Sequence, residues 1–282
     1  MNQERNTNPI LPAAGVRRNI ANGRGASLFD SFGRRQYDEG SLNRSRRDQS
    51  DKSAGSDAIL RCKKPFSMAT FNANTAREDG RMKEIVHCFM KCGIEMLGIQ
   101  EHRRVHEDSV KYSRVEGQYL ITSSAWRNQS QAAVGGVGLL LSPKARKSLR
   151  TAKSVTERIL VAEFDSNPVT TVIVIYSPTN VSPNEEAEEF YGKLGEVVRS
   201  IPAHNFLAVL GDFNARLGPE DSKFTYHSET NRNGEFLADL ILEQCLLAAN
   251  TQFRKRQGKR WTFLDKGTKK KRQLDYILVI KK

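Results

Sequence analysis

The sequence predicts an α/β protein built from two mixed sheets packed face to face with helices outside. Three observations carry this. Short apolar runs alternate with amphipathic helical stripes early in the chain, which builds crossover units. Later runs are joined by turn-rich segments, which builds hairpins. Polar residues recur where the runs end, so the layers gather them at one sheet rim.

In chain order, residues 1–64 are rich in Asn, Arg, Ser, Gly and Asp, with no sustained apolar period. This stretch reads as a disordered basic tail. Its clusters Arg17-Arg18, Arg34-Arg35 and Arg44-Ser45-Arg46-Arg47 suit loose nucleic-acid binding, a nuclear address, or a solvated tail with neither role. A folded domain is predicted over residues 65–282. Residues 66–71 read as a strand ending in Asn72-Ala73-Asn74. Thr75 and Glu78 have the spacing of a capping box. Met82, Ile85, Val86, Phe89 and Met90 then form a helical stripe that Gly93 ends. Residues 94–99 form the next strand, with Gln100-Glu101 at its end.

His102 and His106 have helical spacing but no third ligand in register, and read as a surface loop. Residues 119–123 and 134–141 read as strands, the second holding Gly135, Gly136 and Gly138. No Gly-Lys-Ser/Thr follows, so these glycines predict a bulge or close backbone approach rather than a phosphate loop. Residues 158–164 and 169–176 form a hairpin around Asp165-Ser166-Asn167-Pro168. A helix over residues 183–200 starts at a proline with an acidic first turn.

Residues 207–210 are a buried strand ending at Gly211. Asp212 and Asn214 follow, and in extended backbone they share a face. A carboxylate there can accept a proton, and a carboxamide can donate to a developing oxyanion. Taken alone, this stretch is equally a polar turn. A helix over residues 234–247 and strands at 261–263 and 273–280 complete the pattern. Between the last two lies the basic linker 266–272. Asp275 sits between Leu274 and Tyr276, an apolar setting that is costly for a carboxylate without a partner.

The net charge of +13 points to a polyanionic partner, nucleic acid before membrane. The 4 cysteines show no disulfide framework and read as reduced thiols of an intracellular protein. No apolar stretch is long enough to span a membrane, and no secretory h-region opens the chain.

Asn72-Ala73-Asn74, Gln100-Glu101, Ile175-Tyr176-Ser177-Pro178, Gly211-Asp212-Phe213-Asn214, Trp261-Thr262-Phe263 and Leu274-Asp275-Tyr276 occur in that order. The set resembles the endonuclease/exonuclease/phosphatase superfamily, and more closely the endonucleases of RTE-type non-LTR retrotransposons. The resemblance implies a four-layer αββα sandwich and metal-dependent phosphodiester hydrolysis. It implies Mg²⁺ (or Mn²⁺) at Glu101, supported by Asn72. Tyr176 and Asn214 would hold the phosphate, Asp212 would orient or deprotonate the attacking water, and Asp275 would orient a histidine. Asn74, Thr262, Lys269, Lys270, Lys271 and Arg272 would face the substrate. Asn74 stands where repair members of the family carry an aspartate, and a neutral amide is a poorer metal ligand.

The family ends in a Ser-Asp-His motif on a final strand. This sequence stops at Lys282 before such a motif, with no histidine after His227, so a C-terminally truncated domain of impaired activity is expected. Three functions compete: a nuclear DNA-nicking endonuclease working with a separate reverse transcriptase, a non-catalytic nucleic-acid-binding remnant, and a phosphatase or lipid phosphodiesterase for small substrates. The basic charge favours nucleic acid over the third.

Overall fold

Two crossover units, one in each sheet, set the position of everything else. The computed structural model describes the backbone of Ala14–Arg17 and residues 66–281. The rest of the predicted tail lies outside the described residues. Within it, Ala14–Arg17 are strand rather than disordered, and form β1 on the edge of the first sheet.

Strand β2 (Ser67–Asn72), helix α1 (Asp79–Lys91) and strand β3 (Met96–Gln100) form the first crossover. Strands β4 (Val110–Val115) and β5 (Gln118–Ser123) follow, then the short hairpin β6 (Trp126–Arg127) and β7 (Ala133–Val134), and β8 (Val137–Leu141). One helical turn, α2 (Pro143–Arg146), leads to β9 (Leu149–Thr156), β10 (Ile159–Phe164) and β11 (Thr170–Tyr176). Helix α3 (Asn184–Arg199) and strand β12 (Phe206–Asp212) complete the second crossover. Helix α4 (Arg232–Glu243), β13 (Leu246–Ala248), β14 (Phe263–Leu264), β15 (Lys271–Arg272) and β16 (Asp275–Ile280) close the chain.

The first sheet has strand order β1-β2-β3-β8-β5-β4 and the second β13-β16-β12-β11-β10-β9. Each is mixed, with a parallel pair, β2–β3 or β11–β12, among antiparallel neighbours. Strand periodicity builds the layers. Along β12, Ala208 and Leu210 face the other sheet, with Met96, Leu139, Val174 and Ile277. Leu207 and Val209 face the helices, with Phe190, Leu194, Leu237 and Leu240. Helix α1 covers the opposite outer face through Met82, Ile85, Val86 and Phe89. The result is the expected αββα sandwich. Each fully buried Leu, Ile, Val, Phe or Met contributes about 1.5–3 kcal/mol.

Some local expectations fail. Helix α1 starts at Asp79 with Glu78 as N-cap and no side-chain cap bond, so the Thr75–Glu78 capping box does not form. Thr75 instead takes φ 94° and hydrogen-bonds through its amide to the Glu101 carbonyl. The strand predicted over 134–141 is broken at Gly135 and Gly136, both at positive φ. The ring of Trp126 lies where a Gly135 side chain would stand, only 1.9 Å from an added Cβ. The helix predicted to reach 247 ends at Glu243, and Cys245 turns the chain at positive φ into β13. Residues 261 and 262 are irregular, because Thr262 caps the start of β16 with its side chain.

Gly211 holds β11 and β12 at close range, since an added Cβ would lie 2.3 Å from the Ile175 carbonyl oxygen. Gly211→Ala is therefore expected to destabilise the fold by about 1–3 kcal/mol, as overpacking does. An unchanged urea midpoint in this variant would contradict that packing.

Candidate active site

The register of the two crossovers brings their strand ends to one rim. Asn72 pairs with Gln100 at the end of β2–β3, and Tyr176 pairs with Asp212 at the end of β11–β12. On the other side of β12, Asp212 is directly opposite Asp275 of β16. One carboxamide joins the sheets at this point. Asn72 Nδ2 donates to Glu101 Oε1 at 2.9 Å and to Asp212 Oδ2 at 2.8 Å. Its Oδ1 accepts from the Asn74 amide at 2.8 Å. Asp212 Oδ1 accepts from the Asn214 amide at 2.8 Å, and Asn214 Nδ2 donates to the Ser177 carbonyl at 3.0 Å.

Backbone strain concentrates here. Asn74, Glu101, Arg103 and Asn214 have φ of 43°, 53°, 56° and 46°. Left-handed backbone at a glutamate and an arginine costs energy that the surroundings must offset. Arg103 shows one offset: its Nη2 donates to Glu101 Oε2 at 2.7 Å and to Asn74 Oδ1 at 3.3 Å.

The carboxylates are deprived of water. Asp212 is 4% exposed and Asp275 6%. Burial pushes the Asp212 pKa up to about 6; the Asn72 and Asn214 hydrogen bonds oppose the rise and the Glu101 charge adds to it. Burial and the Asp212 charge raise Asp275 well above the carboxylate range, with the Thr262 hydroxyl opposing. Asp275 Oδ1 is buried with no hydrogen-bond partner among the described residues. Burial, then the charges of Glu101 and Asp212, raise the Tyr176 phenol, which hydrogen-bonds Glu101.

Beside this cluster lies an aromatic and cationic support. Trp126 and Tyr176 have ring centroids 6.5 Å apart. The Arg158 guanidinium lies 4.4 Å from the Trp126 centroid and 5.6 Å from that of Tyr176. It also donates to Glu186 at 2.7 Å.

The rim thus unites Asn72, Asn74, Glu101, Tyr176, Asp212, Asn214 and Asp275 of the predicted set, with Thr262 behind Asp275. Lys269, Lys270, Lys271 and Arg272 are not in the cluster. They lie on or beside the β14–β15 hairpin, where Lys271 Nζ is 4.9 Å from the Trp261 ring centroid. His102 is not in a surface loop but fully buried. Its Nδ1 accepts from the Arg104 amide at 3.0 Å, so Nε2 carries the proton toward the Val137 carbonyl at 3.2 Å. Burial holds its pKa down at about 4, and it is a neutral structural residue. His227 is held by the Gln273 amide at its Nε2, at 3.0 Å.

Arg103, Arg158 and Trp126 are site residues that the sequence reading missed. Arg103, two positions after Glu101, carried a proximity signal. Arg158 looked only like the first residue of a strand.

The donor set suits a hard divalent cation. Glu101 and Asp212 are oxygen donors held together by the Asn72 amide N–H groups, and the carboxylates lack a compensating cation apart from Arg103. Among the described residues no three His, Cys, Asp or Glu side chains form a metal cluster. A cation that keeps several waters and takes one or two carboxylates fits this sparse set; that is the habit of Mg²⁺.

No family model matches the chain. Craniofacial development protein 2 of Bos taurus is 23% identical over 232 residues, which is 80% of this chain. The chain spans 38% of that relative's length. Among solved structures, the 3′-5′ exonuclease NExo of Neisseria meningitidis matches with TM-score 0.56 and 18% identity, over 76% of this chain and 86% of that one. NExo has also been solved with a product DNA hairpin. An AP endonuclease from Archaeoglobus fulgidus matches with TM-score 0.55 and 14% identity, over 75% and 85%. No helix among the described residues is long and apolar enough to cross a membrane. The chain is thus similar to craniofacial development protein 2 over four-fifths of its own length, and it shares the fold of NExo and the AP endonuclease.

Proposed function

We propose that the chain is a metal-dependent phosphodiester hydrolase that nicks DNA, of the retrotransposon endonuclease type. The observation that carries this is the Glu101–Asn72–Asp212 bridge at the shared rim. Glu101, with Asn72 beside it, would hold Mg²⁺ or Mn²⁺, which supplies Lewis acidity to a phosphoryl oxygen. Asp212 lies on the same carboxamide, and one of its oxygens accepts the proton of the attacking water. Asn214 has a second N–H free of its bond to Ser177, and this N–H would hold the phosphate, joined by the Tyr176 hydroxyl once a cation on Glu101 releases it. Trp126 and Arg158 fix the Tyr176 ring. The Lys269–Arg272 hairpin and Asn74 would follow the DNA backbone, consistent with the basic charge. DNA as substrate places the work in the nucleus, with a separate reverse transcriptase using the 3′ hydroxyl.

Two observations favour a second reading, a non-catalytic nucleic-acid-binding remnant. Arg103 already neutralises Glu101, and Asp275 Oδ1 has no partner among the described residues. The orienting role proposed for Asp275 is then unfilled, and activity would be impaired.

Supercoiled plasmid separates the two. Mg²⁺-dependent nicking by the wild type, abolished by chelator and reduced about hundredfold or more in Asp212→Ala and Asn214→Ala, is the expected result. Wild type no faster than Asp212→Ala, with both folded and binding DNA, would leave the remnant.

The paired carboxylates also make stability depend on pH. Asp212 has a folded pKa of about 6, above the ordinary value of about 3.9, and Asp275 is raised too. The folded state therefore binds more protons than the unfolded one near neutral pH. The stabilisation is complete below about pH 4 and is lost as pH rises through 6. Asp275→Asn removes one buried charge. In chelator, this variant should unfold at a higher temperature than wild type at pH 8, with the gap closing toward pH 4. Equal unfolding temperatures at pH 8 would contradict the buried pair.

A further inference from the structure

A positively charged site lies at the other end of the first sheet. Tyr119 of β5 pairs with Leu141 of β8, which pairs with Met96 at the start of β3. Glu101 follows the other end of β3. At about 3.3 Å per residue and 4.8 Å per strand, the two regions are roughly 20 Å apart. A pocket of about 350 Å³ opens there, lined by Tyr112, Arg114, Tyr119, Ile121 and Arg146 among others.

Its chemistry is one-sided. Arg114 and Arg146 lie 4.6 and 5.6 Å from the centroid of the same ring, Tyr119. Arg114 Nη2 also donates to the Tyr119 hydroxyl. No carboxylate lines the pocket, and neither arginine has an ion-pair partner among the described residues. Other arginines of this domain do find one: Arg150 donates to Asp165 at 2.8 Å and Arg81 to Glu84 at 2.8 Å. Two guanidiniums on one ring stand within roughly a Debye length, about 10 Å, so each raises the cost of the other until an anion lies between them. Guanidinium forks match phosphate oxygens in a way that ammonium groups do not.

The aromatic groups narrow the ligand. Tyr112 is 56% exposed and stands on the edge strand β4 beside the two arginines. An exposed ring next to paired phosphate forks is the combination that binds single-stranded nucleic acid, with a base on the ring and the backbone on the cations. The cavity volume is at the small end of ligand pockets, enough for about one nucleotide unit.

We infer that Tyr112, Arg114, Tyr119 and Arg146 form a single-strand nucleic-acid subsite remote from the catalytic rim. It would hold a displaced or flanking strand. The inference does not depend on cleavage.

The test is fluorescence anisotropy of a labelled single-stranded octanucleotide on the full chain, in chelator, over a range of salt. Arg114→Ala/Arg146→Ala is compared with Lys83→Ala/Lys91→Ala, which removes the same charge from the outside of α1. The pocket variant should bind about tenfold more weakly than this control, with a salt slope lower by about 1.4 for two lost strand phosphates. Tyr112→Ala should weaken binding and leave the slope unchanged. Equal affinity in the two double variants would overturn the subsite. So would competition by an oligoglutamate of equal charge as strong as by unlabelled octanucleotide, which would reveal a plain anion patch. A mononucleotide competing as well as the strand would overturn the strand reading. Loss of plasmid nicking with strand binding intact would count against the catalytic reading alone.

Discussion

One carboxamide, that of Asn72, ties the two sheets together at their polar rim. It sits at the end of β2 in the first sheet and donates to Glu101 in that sheet and to Asp212 in the other. Both acceptors are charged, and hydrogen bonds to charged groups are among the stronger ones in proteins. The bond is possible because two crossover units end in register at the same level. The parallel pairs β2–β3 and β11–β12 therefore act as two rigid arms that deliver side chains to a single point. A one-residue slip of either pair would turn its polar residue to the other face of its sheet.

The rest of the rim follows from concentrating negative charge there with little water. Asp212 and Asp275 face each other across β12 and β16; burial raises the proton affinity of both, the Glu101 charge adds to the rise at Asp212, and the Asp212 charge adds to it at Asp275. Arg103 supplies one local positive charge to the cluster, through Glu101. Arg158 acts one layer further out, through the rings of Trp126 and Tyr176. Such an arrangement is costly for stability and suited to holding a cation, the trade found where function rather than packing determines residue choice. The remote Tyr–Arg pocket has the opposite imbalance, unpaired positive charge with exposed aromatic surface. Together they give the domain two poles of opposite electrostatic character.

Much of this was legible in the sequence because periodicity and turn chemistry are local. The apolar run 207–210, the helical stripe from Met82 and the acidic start of α3 each state their own structure. The strand-end polar residues were legible for the same reason: the residue after an apolar run stands at the rim. What failed was decided by tertiary contact. The capping box at Thr75 lost to a backbone bond with Glu101, a residue 26 positions away. Gly135 breaks its strand because Trp126, on a neighbouring hairpin strand, needs the space. His102 looked like a loop residue, but its ring is filled in on both nitrogens by backbone. Arg158 was invisible as a site residue because its role depends on two rings that only the fold brings to it.

The proposed function needs one hard divalent cation at the rim, centred on Glu101. Calorimetric titration of the chain with Mn²⁺, alongside Glu101→Gln, tests it most directly. Glutamine keeps the size of the side chain and an acceptor for Asn72 while removing the charge. One ion bound per wild-type chain, with binding lost in Glu101→Gln, is the predicted result. No saturable binding to the wild type, or the same binding to both proteins, would contradict it.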